Sequence, residues 1–165
     1  VVRQYGPGTD RSDVATGYTA AVGAVLVSAL YVASVWVVDE GVLDLGWSPY
    51  FATLEFHWAV YGATAGLLVA VPTAFLVGVV GWRLTPPRTA FRGAVTGAVG
   101  AVATYVAALV PLAAVYVLAG EMTPANALEL SGFVVAVGFA LTWWLAVPAG
   151  SLVGAVRAAR RPTAG

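Results

Sequence analysis

The chain has 165 residues, of which 60% are hydrophobic and 10% charged, against about 25% charged in a soluble domain. Its formal net charge is zero and its mean hydropathy is +0.86, so there is too little polar side chain to cover a water-facing surface, and nothing suggests nucleic acid as a partner. With no Cys and no Lys, the chain lacks the means for disulfides, iron–sulfur ligation, thiol catalysis and Schiff-base chemistry.

Charged residues divide the sequence into four long uncharged intervals, 14–38, 56–82, 93–120 and 130–156. A membrane helix needs about 20 apolar residues to cross a hydrocarbon core about 30 Å thick. Only helices satisfy their own backbone in lipid over such lengths when the alternative is an unclosed sheet. The expected fold is therefore an all-α integral membrane protein with four transmembrane helices. The first interval is expected to be retained rather than cleaved as a signal peptide. It is longer than the usual signal core and ends without a clear small-x-small site.

Arginine placement sets the expected topology. Arg3 and Arg11 precede the first helix, Arg83, Arg88 and Arg92 join the second to the third, and Arg157, Arg160 and Arg161 follow the fourth. All eight basic residues thus fall on one face, accompanied only by Asp10 and Asp13. The other face holds Asp39, Glu40, Asp44, Glu55, Glu121 and Glu129, and no Arg. By the positive-inside rule both termini are cytoplasmic and the protein is a multi-pass resident of the cell membrane.

An internal repeat is also expected. Ala21-Val22-Gly23-Ala24-Val25 recurs as Ala98-Val99-Gly100-Ala101-Val102, Leu54-Glu55 as Leu128-Glu129, and Val71-Pro72 with Leu76-Val77-Gly78 as Val147-Pro148 with Leu152-Val153-Gly154. The reading is one membrane domain over 1–165, with a cytoplasmic segment at 1–13, repeat one at about 14–83, repeat two at about 93–157 and a tail at 158–165. Two-helix units that enter from the same side make tandem parallel hairpins related by an axis along the membrane normal.

Ser48-Pro49 and Thr123-Pro124 are N-cap and N1-proline signatures that start the second and fourth helices. Glu55 and Glu129 then fall in the first two turns. The run from each to Arg83 or Arg157 measures about 42 Å at 1.5 Å per residue, so both acids sit at the outer interface. Pro72 and Pro148 lie inside their helices and are expected to kink them. Gly62-xxx-Gly66, Gly93-xxx-Gly97 and Gly150-xxx-Gly154 are small-residue faces suited to close helix contact, within the chain or between subunits.

Candidate chemistry is sparse. Glu55 with His57, opposite Glu129, forms a possible outer cation or proton site, and Glu55 with His57 is the only acid–base pair a membrane enzyme could draw on. Trp143-Trp144 is a possible aromatic wall for an apolar ligand such as a lipid. Arg83, Arg88, Arg92, Arg157, Arg160 and Arg161 are positioned to contact anionic lipid headgroups on the cytoplasmic side. No phosphate-binding loop, nucleophile elbow, zinc motif or dinucleotide fingerprint occurs, and no cofactor is expected. No charged residue lies deep in any interval, where proton relays and coupled-ion sites would show. The expected function is a non-catalytic accessory, assembly or scaffold subunit acting through helix packing, alone as a homo-oligomer or within a membrane complex. The alternative is a small transporter or channel with an acidic outer mouth between the two hairpins.

Overall fold

In the computed structural model, which describes residues 12–41, 55–85, 89–120 and 122–159, four helices account for nearly all of the described residues. They are α1 (Ser12–Asp39), α2 (Phe56–Leu84), α3 (Ala90–Leu118) and α4 (Pro124–Ala159). Lengths of 28, 29, 29 and 36 residues make each long and apolar enough to cross a membrane. The outward surface agrees with that: Leu68 and Leu118 are 79% and 85% exposed, and such side chains in every helix form an apolar surface far beyond what a water-facing monomer carries. This is a small four-span membrane bundle.

α1 and α4 overrun their uncharged intervals at both ends, α2 at its last turn and α3 at its first, where polar residues can meet headgroups. Thr89 caps α3, its side chain accepting from the Arg92 N–H at 3.2 Å, so Arg92 belongs to the first turn of that helix. Thr123 precedes α4 in the expected manner. Its hydroxyl accepts from Asn126 N–H at 3.4 Å, its carbonyl from Ala127 N–H at 2.9 Å, and Pro124 is the first helical residue. Glu129 accordingly lies in the second turn of α4.

The start of α2 is different. Ser48-Pro49 lies outside the described residues. Glu55, expected inside the helix, is instead its N-cap, with φ −57° and ψ 143°, and its side chain makes no capping bond. α2 therefore begins at Phe56, and Glu55 itself is not helical. The first turn of α2 holds Ala59, which is 2% exposed and packs against Tyr31 and Val35 of α1. At the opposite ends of the ascending helices, Gly41 and Gly120 adopt φ of 66° and 74° just past α1 and α3. There the left-handed residue ends the helix at little steric cost.

The two helices of each hairpin pack most extensively, α1 on α2 and α3 on α4, while α2 with α3 and α1 with α4 make slimmer seams. The result is a ring in chain order, two hairpins side by side, with little contact across the diagonals. The hairpins meet at an apolar centre in which Tyr31, Val35 and Ala59 are buried and Leu141 and Leu145 of α4 close over them.

The tightest seam is between α3 and α4. A Cβ on Gly93 would collide with the Gly154 carbonyl and one on Gly97 with the Gly150 carbonyl; one on Gly150 would stand 2.6 Å from the Gly97 oxygen. Two small-xxx-small faces thus mate within the chain, backbone against backbone. In the first hairpin the near point is Gly17 against Gly78, where a Cβ on Gly78 would sit 3.0 Å from the Gly17 Cα. Gly62 and Gly66, the third such face, would meet nothing within 4 Å.

Candidate functional site

At the acidic end, the extended Glu55 and the first turn of α2 bring Glu55 and His57 together, with Nδ1 to Oε2 at 3.3 Å. Both are largely exposed. The His57 ring continues into Trp58 at 5.2 Å between centroids, and Trp58 into Tyr61 at 6.4 Å. This is an interfacial aromatic edge, each ring offering an apolar body and a polar tip to the headgroup layer. Glu129 is exposed on α4. Among the described residues no three His, Cys, Asp or Glu side chains lie close enough together to hold a metal ion.

At the arginine end, Arg83 Nε donates to Asp13 at 2.7 Å and ties the last turn of α2 to the first of α1. Arg83 and Arg157 occupy helix last turns, where a cation favours the negative end of the helix dipole. Arg157 is half-buried and Arg92 is exposed at the start of α3. Arg88, Arg160 and Arg161 lie outside the described residues.

Between the ends, the polar side chains are hydroxyls that turn back on their own helices. Thr73 and Ser131, both buried, each donate at 2.7 Å to the carbonyl four residues earlier, Val69 and Ala127. Thr142 donates to the Gly138 carbonyl at 2.6 Å, which commits its proton, so Tyr105 OH is the donor in the 2.5 Å contact with Thr142. The buried hydroxyl of Tyr31 has no hydrogen-bond partner among the described residues.

Pro72 and Pro148 are inside α2 and α4 and on exposed faces. A third proline, Pro111, lies inside α3. Its signal in the sequence was plain, an apolar run interrupted at Val110-Pro111, but it has no counterpart in the repeat. Trp143 is exposed, whereas Trp144 is partly buried and donates its indole N–H to the Leu141 carbonyl at 2.9 Å. Adjacent helical residues diverge by about 100°, so the two rings look in different directions.

One concavity was not anticipated. A groove of about 540 Å³ opens between α1 and α2, with Ser28, Ala29, Ala33 and Trp36 on one wall and Ala63 and Thr64 among the residues of the other. It lies within the first hairpin and not between the two. The signal lay in the small residues of the two walls, Ala29 and Ala33 with Ala63, which leave space between the helices.

No protein family, characterised protein or solved structure is detectably similar to this chain.

Proposed function

We propose that this chain is a non-catalytic membrane subunit that acts through helix packing, as an accessory, assembly or scaffold component. The observation that carries the reading is the centre of the bundle. Tyr31, Val35, Ala59, Leu141 and Leu145 fill the junction of the hairpins with apolar atoms, and the buried Thr73 and Ser131 hydroxyls are spent on helix carbonyls. A permeating ion would find only the Tyr31 hydroxyl there, too little to replace its hydration shell. The open Gly62–Gly66 face on α2 supports the same reading, since the other two small-residue faces are consumed internally.

Two finer points belong to this reading. Both termini are cytoplasmic, supported by the arginine bias, and the arginine end meets anionic headgroups. The hairpins are tandem repeats, supported by matching contacts. A Cβ on Gly78 would lie 3.1 Å from the Thr16 carbonyl and 3.0 Å from Ala20 Cβ; one on Gly154 meets the Gly93 carbonyl and, at 3.1 Å, Gly97 Cα. In the repeat register Gly78 corresponds to Gly154, Thr16 to Gly93 and Ala20 to Gly97.

The test is reconstitution with pull-down. Purified protein in liposomes is expected to leave proton and potassium flux at the protein-free level. A Gly62→Leu/Gly66→Leu variant, folded by circular dichroism, is expected to lose its membrane partner or self-association. A monomer without partners that carries a solute sinks the proposal. The transporter reading draws on the Glu55–His57 contact at the acidic mouth; for it to stand, flux must be present and must fall in a Glu55→Gln/Glu129→Gln variant.

A further inference from the structure

The groove between α1 and α2 has a length, a wall chemistry and a rim that together specify what fills it. Its α1 wall runs from Val25 to Trp36, a rise of about 16 Å at 1.5 Å per residue. That is half of a hydrocarbon core about 30 Å thick, the depth of one leaflet. Toward the arginine end the two helices close on each other, Gly17 against Phe75 and Val79, and Gly78 against Ala20. A spanning helix from a second copy would need the whole depth, and this groove ends half-way. Apolar walls also leave water too few partners to occupy it.

The second hairpin shows how such a seam is closed by protein. Tyr105 follows Ala98–Val102 at the same distance at which Ser28 follows Ala21–Val25. Tyr105 packs edge-on against Phe139 at 5.1 Å and bonds to Thr142, filling the space between α3 and α4. In the first hairpin the corresponding residue is a serine, and the space stays open to the bilayer.

The rim selects the headgroup. Trp36 lines the mouth, and an indole favours the boundary between hydrocarbon and headgroups. Asp39 and Glu40 follow it by three and four residues. The helical hydrogen bond from Glu40 N–H to the Trp36 carbonyl, 3.0 Å, keeps the turn intact, so both exposed carboxylates stand one turn above the groove on its own face. No arginine lies at this end among the described residues, so the rim attracts an ammonium group and repels an anionic headgroup.

We propose that the α1–α2 groove is a binding site for one lipid of the leaflet at the acidic end, its acyl chain lying between Ser28 and Thr64 and its ammonium-bearing headgroup held by Asp39 and Glu40. The occupant is a bilayer lipid of the phosphatidylethanolamine type.

Native mass spectrometry of the full chain in mild detergent, offered equal phosphatidylethanolamine and phosphatidylglycerol, tests this. The expected result is one retained phosphatidylethanolamine per protomer. Asp39→Asn/Glu40→Gln is expected to retain lipid but to lose the headgroup preference, by about fivefold per carboxylate removed. Ser28→Tyr/Ala63→Phe, which copies the closed seam, is expected to lose the lipid while keeping wild-type helicity. If that variant does not fold, Ala29→Leu alone narrows the groove and is expected to weaken retention. Equal retention of phosphatidylglycerol by wild type, unchanged retention in a folded groove-filling variant, or a lipid-free protein that pairs through this face with a second copy would each overturn the proposal.

Discussion

Gly97 of α3 and Gly150 of α4 face each other with no side chain between them: a Cβ on Gly150 would stand 2.6 Å from the Gly97 carbonyl oxygen and 2.9 Å from Ala101 Cβ. The obstacle is backbone, which cannot swing aside as a long side chain would. Gly150→Ala or Gly97→Ala is therefore expected to push the helices apart and cost about 2–3 kcal/mol. Gly62→Ala, where the new methyl meets open space, should be neutral or stabilise by up to about 1 kcal/mol through helix propensity. Thermal unfolding in detergent, followed by circular dichroism, separates the two; equal effects at both sites would show that the α3–α4 crossing is not as tight as described.

The two inward tyrosines are expected to respond in opposite ways to loss of the hydroxyl. Tyr105 OH donates to Thr142, and Tyr105→Phe removes that bond at a cost of about 1 kcal/mol. Tyr31 OH is buried without a partner among the described residues, so Tyr31→Phe relieves a desolvated group and should be neutral or stabilising. A clear loss of stability in Tyr31→Phe would point to a bonded water or lipid group at that hydroxyl.

The Asp13–Arg83 pair is short, 2.7 Å, but Arg83 is 57% exposed. With the Arg83 side of the pair open to solvent, screening keeps its contribution small. Asp13→Asn is expected to lower stability only slightly, and the difference should shrink as salt rises toward molar. Melting curves at low and high salt measure it directly; a salt-independent loss would assign Asp13 a packing role instead.

Ser131 is fully buried, and its hydroxyl is occupied by the Ala127 carbonyl. Ser131→Ala keeps the volume and gives up one intrahelical bond, so a change below about 1 kcal/mol is expected. Ser131→Leu adds carbon where none fits and should cost about 1–3 kcal/mol. If both variants melt like wild type, the acidic-end half of α4 is less closely packed than its burial implies.

How far the linear order of residues reached depends on the kind of question. Four spans were legible because lipid imposes its demand on each segment separately: enough apolar length, with charge only at the ends. The cap at Thr123 was legible because a cap is a local bond, whereas the position of Glu55 at the N-cap of α2 was not read from the sequence. The exposed Glu55–His57 contact spans two residues and needed no tertiary partner to foresee.

The three glycine pairs mark the boundary most sharply. Gly62–Gly66, Gly93–Gly97 and Gly150–Gly154 share a spacing and nothing in that spacing distinguishes them. Two are locked backbone to backbone and one faces open space, because contact depends on how each helix is rotated toward a partner far away in the chain. The α1–α2 groove has the same origin. Ser28 and Ala63 are unremarkable on their own helices and become the walls of a one-leaflet slot only because the packing of α1 on α2 brings them to the same groove, beyond the close contact at Gly17 and Gly78. Span number and the charge asymmetry of the two ends are properties of segments and follow from hydration energy alone. Which faces are spent inside the bundle, and which are left for lipid or a partner, is a property of helix pairs and comes from packing.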